Sequence, residues 1–170
     1  MKILSRASKV KISRPYTQED FQKRVDKICT ENAKKEAFRY MRDDGTHVST
    51  SFEEVYEGII FITEALKESG IKKGDRVALI SPLSPSAVLA GVSLGYSGVI
   101  VVLIDPTLPK EEINRLLMES DVRGAFATNK MYEQLENCGI VFEIDRNDVP
   151  IEDFISVRIS KKGGAYKTVS

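Results

Sequence analysis

Apolar positions along the chain change their period several times. Between residues 18 and 33, QEDFQKRVDKICTENA, Phe21, Val25 and Ile28 recur at helical spacing with charge between them, which predicts an amphipathic surface helix. AFRYM and HVST flank Asp43-Asp44-Gly45 and predict two short strands around a glycine-containing turn. Ser51 followed three residues later by Glu54 is a capping box, and Phe52, Val55, Ile59, Ile62 and Leu66 line one face of a long helix capped at Gly70.

Beyond Gly74-Asp75 the apolar runs become continuous. RVALIS leads to a helix opened by Ser84-Pro85, VIVVLID to a helix near Pro109 with Ile113, Leu116 and Leu117 inward, and GAFAT to a helix around MYEQLEN before IVFEID. Apolar strands alternating with helices define the fold class as α/β: a mainly parallel sheet with helices on both faces, preceded by a helix and a short β-hairpin. Val101 and Val102 are expected in a strand covered on both faces. Residues 1–146 form this unit, with 1–17 as a basic tail, and the weakening pattern from Asn147 predicts a tail or linker over 147–170. Gly91 and Gly95 are read as small residues that let a helix lie close to the sheet.

From Ile80 to Ile104 no residue is charged. Two prolines, three glycines and five serines make this stretch a poor membrane span, so a buried helix followed by a strand is expected. Lysine plus arginine equals aspartate plus glutamate at 25 each, which gives no reason to expect nucleic acid or an anionic membrane as partner. The basic start lacks an apolar segment after its charges and is not a secretory signal. Cys29 and Cys138 match no metal or redox spacing and are expected as ordinary thiols in the cytoplasm. His47, the sole histidine, is expected as an ordinary hairpin residue.

In an open α/β sheet, ligands bind beyond the carboxyl ends of the strands, which singles out Ser81, Pro82, Asp105, Pro106, Thr128, Asn129 and Asp145. The run GVIVVLIDPTLP poses the sharpest question: whether Asp105 is a displayed reactive group or only ends its strand. Asp-x-x-Leu-Pro after an apolar strand resembles the phosphoacceptor segment of response-regulator receiver domains. That chemistry needs magnesium held by carboxylates, and the preceding strand ends Ile80-Ser81-Pro82 without an acid.

A longer resemblance runs from about residue 18 to 146. SFEEV, LKESGIKKGDRVALISPLSP and LGYSGVIVVLIDPTLPKEEI, in this order and spacing, resemble the opening part of the adenylate-forming enzymes: acyl- and aryl-CoA synthetases, luciferases and peptide-synthetase adenylation domains. Ser51, Phe52 and Glu54 hold that family's helix start. Gly74, Asp75, Arg76 and Val77 match its turn into a strand, and Leu94 and Gly98 through Asp105 and Pro106 match its strand ending in Asp-Pro. Leu83 and Tyr96-Ser97 depart from the usual asparagine and lysine-alanine.

The resemblance implies that Asp105 and Pro106 act through folding: proline stops the strand and Pro109 favours the next helical turn. It implies ATP, magnesium and coenzyme A as cofactors of a parent enzyme that adenylates a carboxylate and then forms a thioester. It also implies a Ser/Thr/Gly-rich loop ending in Pro-Lys-Gly and a lysine on a mobile domain, and neither is matched within these 170 residues. The stretch KKGGAYKT lacks the glycine before its lysine and the preceding buried strand of a phosphate loop. No catalytic, cofactor-binding or metal residue is therefore assigned, and the chain alone is expected to be inactive. A fragment or natural short form of an acyl-CoA synthetase and a non-catalytic binding module on the same scaffold both remain open. In either case, the partners expected are the remaining segments of a parent enzyme or a second copy of this chain meeting an uncovered surface.

Overall fold

The computed structural model describes residues 15–41, 44–132, 134–136, 138–144, 158–161 and 167–168. Asp145, the basic tail over 1–14 and most of KKGGAYKT lie outside the described residues. No helix among those described is long and apolar enough to cross a membrane.

Helix α1 (Gln18–Glu31) opens on a complete capping box, with Asp20 N–H donating to Thr17 Oγ1 at 3.3 Å and Thr17 N–H to the Asp20 carboxylate at 2.9 Å. Strands β1 (Glu36–Met41) and β2 (His47–Ser51) form the expected antiparallel hairpin. Helix α2 (Phe52–Glu68) starts at the Ser51–Glu54 box, where Ser51 N–H donates to Glu54 at 2.6 Å. Then follow β3 (Arg76–Ile80), α3 (Pro85–Ser97), β4 (Ile100–Leu103), α4 (Lys110–Glu119), β5 (Gly124–Thr128), α5 (Asn129–Tyr132) and β6 (Ile140–Ile144).

Three helices end in one device. After α2, α3 and α4 the chain turns left-handed at Gly70 (φ 80°), Gly98 (φ 75°) and Asp121 (φ 48°). The next residue, Ile71, Val99 or Val122, donates its N–H back to Leu66, Leu94 or Leu117 respectively. This Schellman closure satisfies terminal carbonyls and sends an apolar residue into the core ahead of the next strand. Asp121 performs with a side chain what glycine does elsewhere.

The main sheet has the order β4-β3-β5-β6-β7-β8, parallel through β6 and antiparallel beyond it. Alternate strand residues feed two cores. Val77, Leu79, Phe126 and Phe142 pack with α1, α2 and α3, while Ala78, Ile80, Ala125, Ala127 and Val141 pack with Ile113 and Leu117 of α4. Phe126 and Phe142 stack with ring centroids 4.5 Å apart on adjacent strands. Gly91 faces Leu79 of the sheet, whereas Gly95 faces the Phe21 ring of α1, so only the first serves helix–sheet approach.

Four local expectations change. Ile28 is 39% exposed, and Cys29, one helical turn beyond Val25, takes the inward place. Strand β4 is an edge and not a central strand: Val101 and Val102 are half-buried, and Ile100 and Leu103 are 52% and 76% exposed. An uncharged run predicts a strand without saying which sides are covered. The helix expected around MYEQLEN is a single turn over Asn129–Tyr132. Residues 158–161 and 167–168, expected within a tail or linker, are strands β7 (Arg158–Lys161) and β8 (Lys167–Thr168), added antiparallel to β6.

Candidate functional site

The carboxyl ends of β3, β4 and β5 bring together most of the residues selected from the sequence. β4 and β5 lie on opposite sides of β3, and α3 and α4 cover opposite faces, so the chain reverses its winding between β3 and β5. That is where an open α/β sheet presents a ligand crevice. The polar groups there are largely engaged locally. Ser81 Oγ donates to the Pro82 carbonyl at 2.9 Å, and Ser84 Oγ accepts from Ala87 N–H at 3.1 Å as the α3 cap, with Pro85 in the first turn. Thr128 is buried at the end of β5, and its Asn129 neighbour begins α5.

Asp105 ends its strand by closing a turn. One carboxylate oxygen accepts from Thr107 N–H at 2.8 Å and from Thr107 Oγ1 at 2.7 Å, and these two bonds hold its carboxyl below the usual range. Its carbonyl accepts from Leu108 N–H at 3.3 Å. It does not cap α4, where Pro109 holds the cap position without a side-chain bond. Among the described residues, no group of three or more His, Cys, Asp or Glu is placed to hold a metal ion. His47 is exposed on the hairpin, across from Met41.

At the opposite, amino end of the sheet lies a cleft of about 380 Å³ around Gly74, Asp75, Arg76, Asp121 and Arg123. Here the Gly-Asp-Arg-Val stretch works as a clamp. Gly74 adopts φ 86°, Asp75 accepts from Lys72 N–H at 2.8 Å, and Arg76 Nε donates to the Ser120 carbonyl at 2.6 Å while its guanidinium pairs with Asp121. Arg123 N–H donates to the Arg76 carbonyl at 2.8 Å, and its side chain lies 3.6 Å from Asp75. Both arginines are matched by aspartates, which leaves no net charge to draw an anion.

A third polar cluster joins the helices of one face. Asp26 on α1 accepts from Tyr96 of α3 at 2.8 Å and from Tyr56 of α2 at 3.1 Å. Gln18 and Gln22 donate to the Tyr96 carbonyl at 3.0 and 2.8 Å. Burial first, then the bond to Asp26, pushes the Tyr96 hydroxyl well above the ordinary tyrosine range. The sequence offers no signal for this cluster, since its members stand 30 and 70 positions from Asp26. Its geometry fixes helix packing, and it lies on the helices and not at the strand ends.

The chain matches the family model described as AMP-binding enzyme over residues 25–162. An acetyl-coenzyme A synthetase of Cupriavidus pinatubonensis (strain JMP 134 / LMG 1197) is 39% identical over 110 residues, covering 65% of this chain and 14% of that protein. Long-chain-fatty-acid–CoA ligase 1 of Schizosaccharomyces pombe is 32% identical over 114 residues, covering 64% and 17%. The chain thus spans well under two thirds of the length of these relatives. A fatty acyl-adenylate ligase from L. pneumophila, solved with acyl adenylate and pyrophosphate, shares the fold at TM-score 0.65 and 15% identity, over 78% of this chain and 24% of that one. With the capped helices, the Gly-Asp-Arg-Val clamp and the Asp-Pro strand end all in place, the chain belongs to the AMP-binding enzyme family and carries the N-terminal α/β region of its adenylate-forming ligases.

Proposed function

We propose that this chain is the structural opening of an acid–thiol ligase, which uses ATP to join a carboxylate to AMP with release of pyrophosphate and then passes the acyl group to a thiol. The family match over residues 25–162 carries the reading. The names of the relatives, acetyl-coenzyme A synthetase and long-chain-fatty-acid–CoA ligase, support coenzyme A as the thiol and a carboxylic acid as the substrate class. A cytoplasmic location belongs to the same reading, supported by two free, buried thiols.

The described residues do not fit ATP or magnesium. Asp105 is engaged by Thr107 and has no carboxylate neighbours with which to share a metal ion. No step is derived through these groups, and the part of this chain is to hold the fold: β3 and β4 are aligned by the amino-end clamp and closed at Asp105. The reading predicts that the chain alone does not catalyse acid-dependent exchange of pyrophosphate into ATP. Exchange above a protein-free blank that stops when the acid is omitted contradicts it. A non-catalytic interaction module is the second reading, favoured by the open edge at β4.

A further inference from the structure

Strand β4 closes one end of the sheet order and pairs only with β3 among the described residues. Ile100 N–H donates to the Asp75 carbonyl at 2.8 Å and Ile104 N–H to the Leu79 carbonyl at 3.1 Å. In a parallel ladder, every second residue addresses the same neighbour, so Ile100, Val102 and Ile104 face β3. Val101 and Leu103 therefore turn their N–H and C=O groups to the open side. Natural edge strands are usually blunted by charge, proline or a bulge. β4 has none of these: it reads Ile-Val-Val-Leu, its register with β3 is unbroken, and the nearest charges in sequence are Asp75–Arg76 and Asp105.

We propose that two copies of this chain pair edge to edge along β4, antiparallel, about a two-fold axis through Val102. The open groups are self-complementary in that register. Val101 of one copy stands opposite Leu103 of the other, and each such pair exchanges two backbone hydrogen bonds, giving four across the axis. The same register places Leu103, 76% exposed in one copy, beside Val101 of the second on one face of the sheet. On the other face Ile100, 52% exposed, meets Ile104, and the two Val102 side chains meet at the axis. A foreign strand could use the same backbone groups, but only a second copy satisfies both ends of the register with identical residues.

Sedimentation across a concentration series, paired with amide hydrogen exchange on the 170-residue chain, tests this. The expected result is a monomer–dimer equilibrium in which the Val101 and Leu103 amides gain protection as the dimer forms. The Ile100, Val102 and Ile104 amides stay protected throughout. Leu103→Lys replaces an exposed side chain and is expected to leave the circular dichroism spectrum unchanged while abolishing the dimer. Leu83→Lys, at a position 90% exposed in the β3–α3 loop, is expected to leave the dimer intact. A chain that stays monomeric at all concentrations overturns the proposal. So does a dimer that survives Leu103→Lys, that is lost with Leu83→Lys, or that protects no amide of β4 beyond those already bonded to β3.

Discussion

Replacing Tyr96 with phenylalanine removes one hydroxyl and keeps the ring, so the packing of α3 against α1 is preserved and a single bond is tested. The lost bond is the 2.8 Å donation to Asp26, which leaves that carboxylate with the 3.1 Å bond from Tyr56. A hydrogen bond to a charged group contributes roughly 1.5–3 kcal/mol. Water reaches the half-buried cluster and replaces part of it, so Tyr96→Phe is expected to cost about 1–2 kcal/mol. Asp26→Ala, which strands two phenolic donors, is expected to cost more, about 2–4 kcal/mol. The sign of the pH dependence follows from the raised Tyr96 hydroxyl. The folded state holds the neutral phenol, so its contribution is complete below the unfolded tyrosine value of about 10 and declines as pH rises beyond that. Phenylalanine has no proton to lose, and the stability gap between wild type and variant should narrow in alkali. Urea denaturation followed by circular dichroism at neutral pH and above pH 10 reads both quantities. No loss at neutral pH, or a gap that widens in alkali, would show that the cluster does not hold the helices together.

Two further outcomes separate centre from edge and inside from outside. Val77→Asp places an unpaired charge at a fully buried position of β3 and should abolish folding, a cost comparable to a typical domain stability of about 5–15 kcal/mol, whereas Val101→Asp at the half-buried edge should leave a folded chain with a lower denaturation midpoint. Equal damage from the two substitutions would contradict the strand order. Cys29 is 5% exposed, burial raises its thiol, and Cys138 is 2% exposed, so a thiol reagent should label neither in the native chain and both in denaturant; rapid native labelling of Cys29 would place it outside the core.

What could be read from the sequence follows the range of the interaction. Capping at Ser51 and Ser84, the left-handed turns at Gly70 and Gly98, and the burial of Ile59, Ile62 and Leu66 depend on neighbours within about one helical turn, and the pattern states them directly. Asp121 escaped because aspartate adopts the left-handed turn less often than glycine and leaves a weaker mark. Strand order is a long-range property. GVIVVLIDPTLP is the longest apolar run and yet forms the edge, whereas the small, mixed GAFAT is wholly buried between β3 and β6. The Asp26–Tyr56–Tyr96 cluster likewise exists only once α1, α2 and α3 have packed. At the strand ends, Asp105 was legible as a terminator because Asp-Pro carries its own turn chemistry, but its acceptor role toward Thr107, in place of a cap on α4, required the coordinates.

The claim that the strand ends serve the fold is tested most directly by titrating magnesium and ATP into isotopically labelled chain while following backbone amides by NMR. A structural scaffold predicts only weak, non-saturating shifts, with the amides of Ser81, Asp105, Thr107 and Thr128 moving no more than those of the amino-end clamp. Saturable shifts concentrated at those four residues, lost with Asp105→Asn, would show that this chain holds the nucleotide itself and would contradict the assignment of Asp105 to the turn.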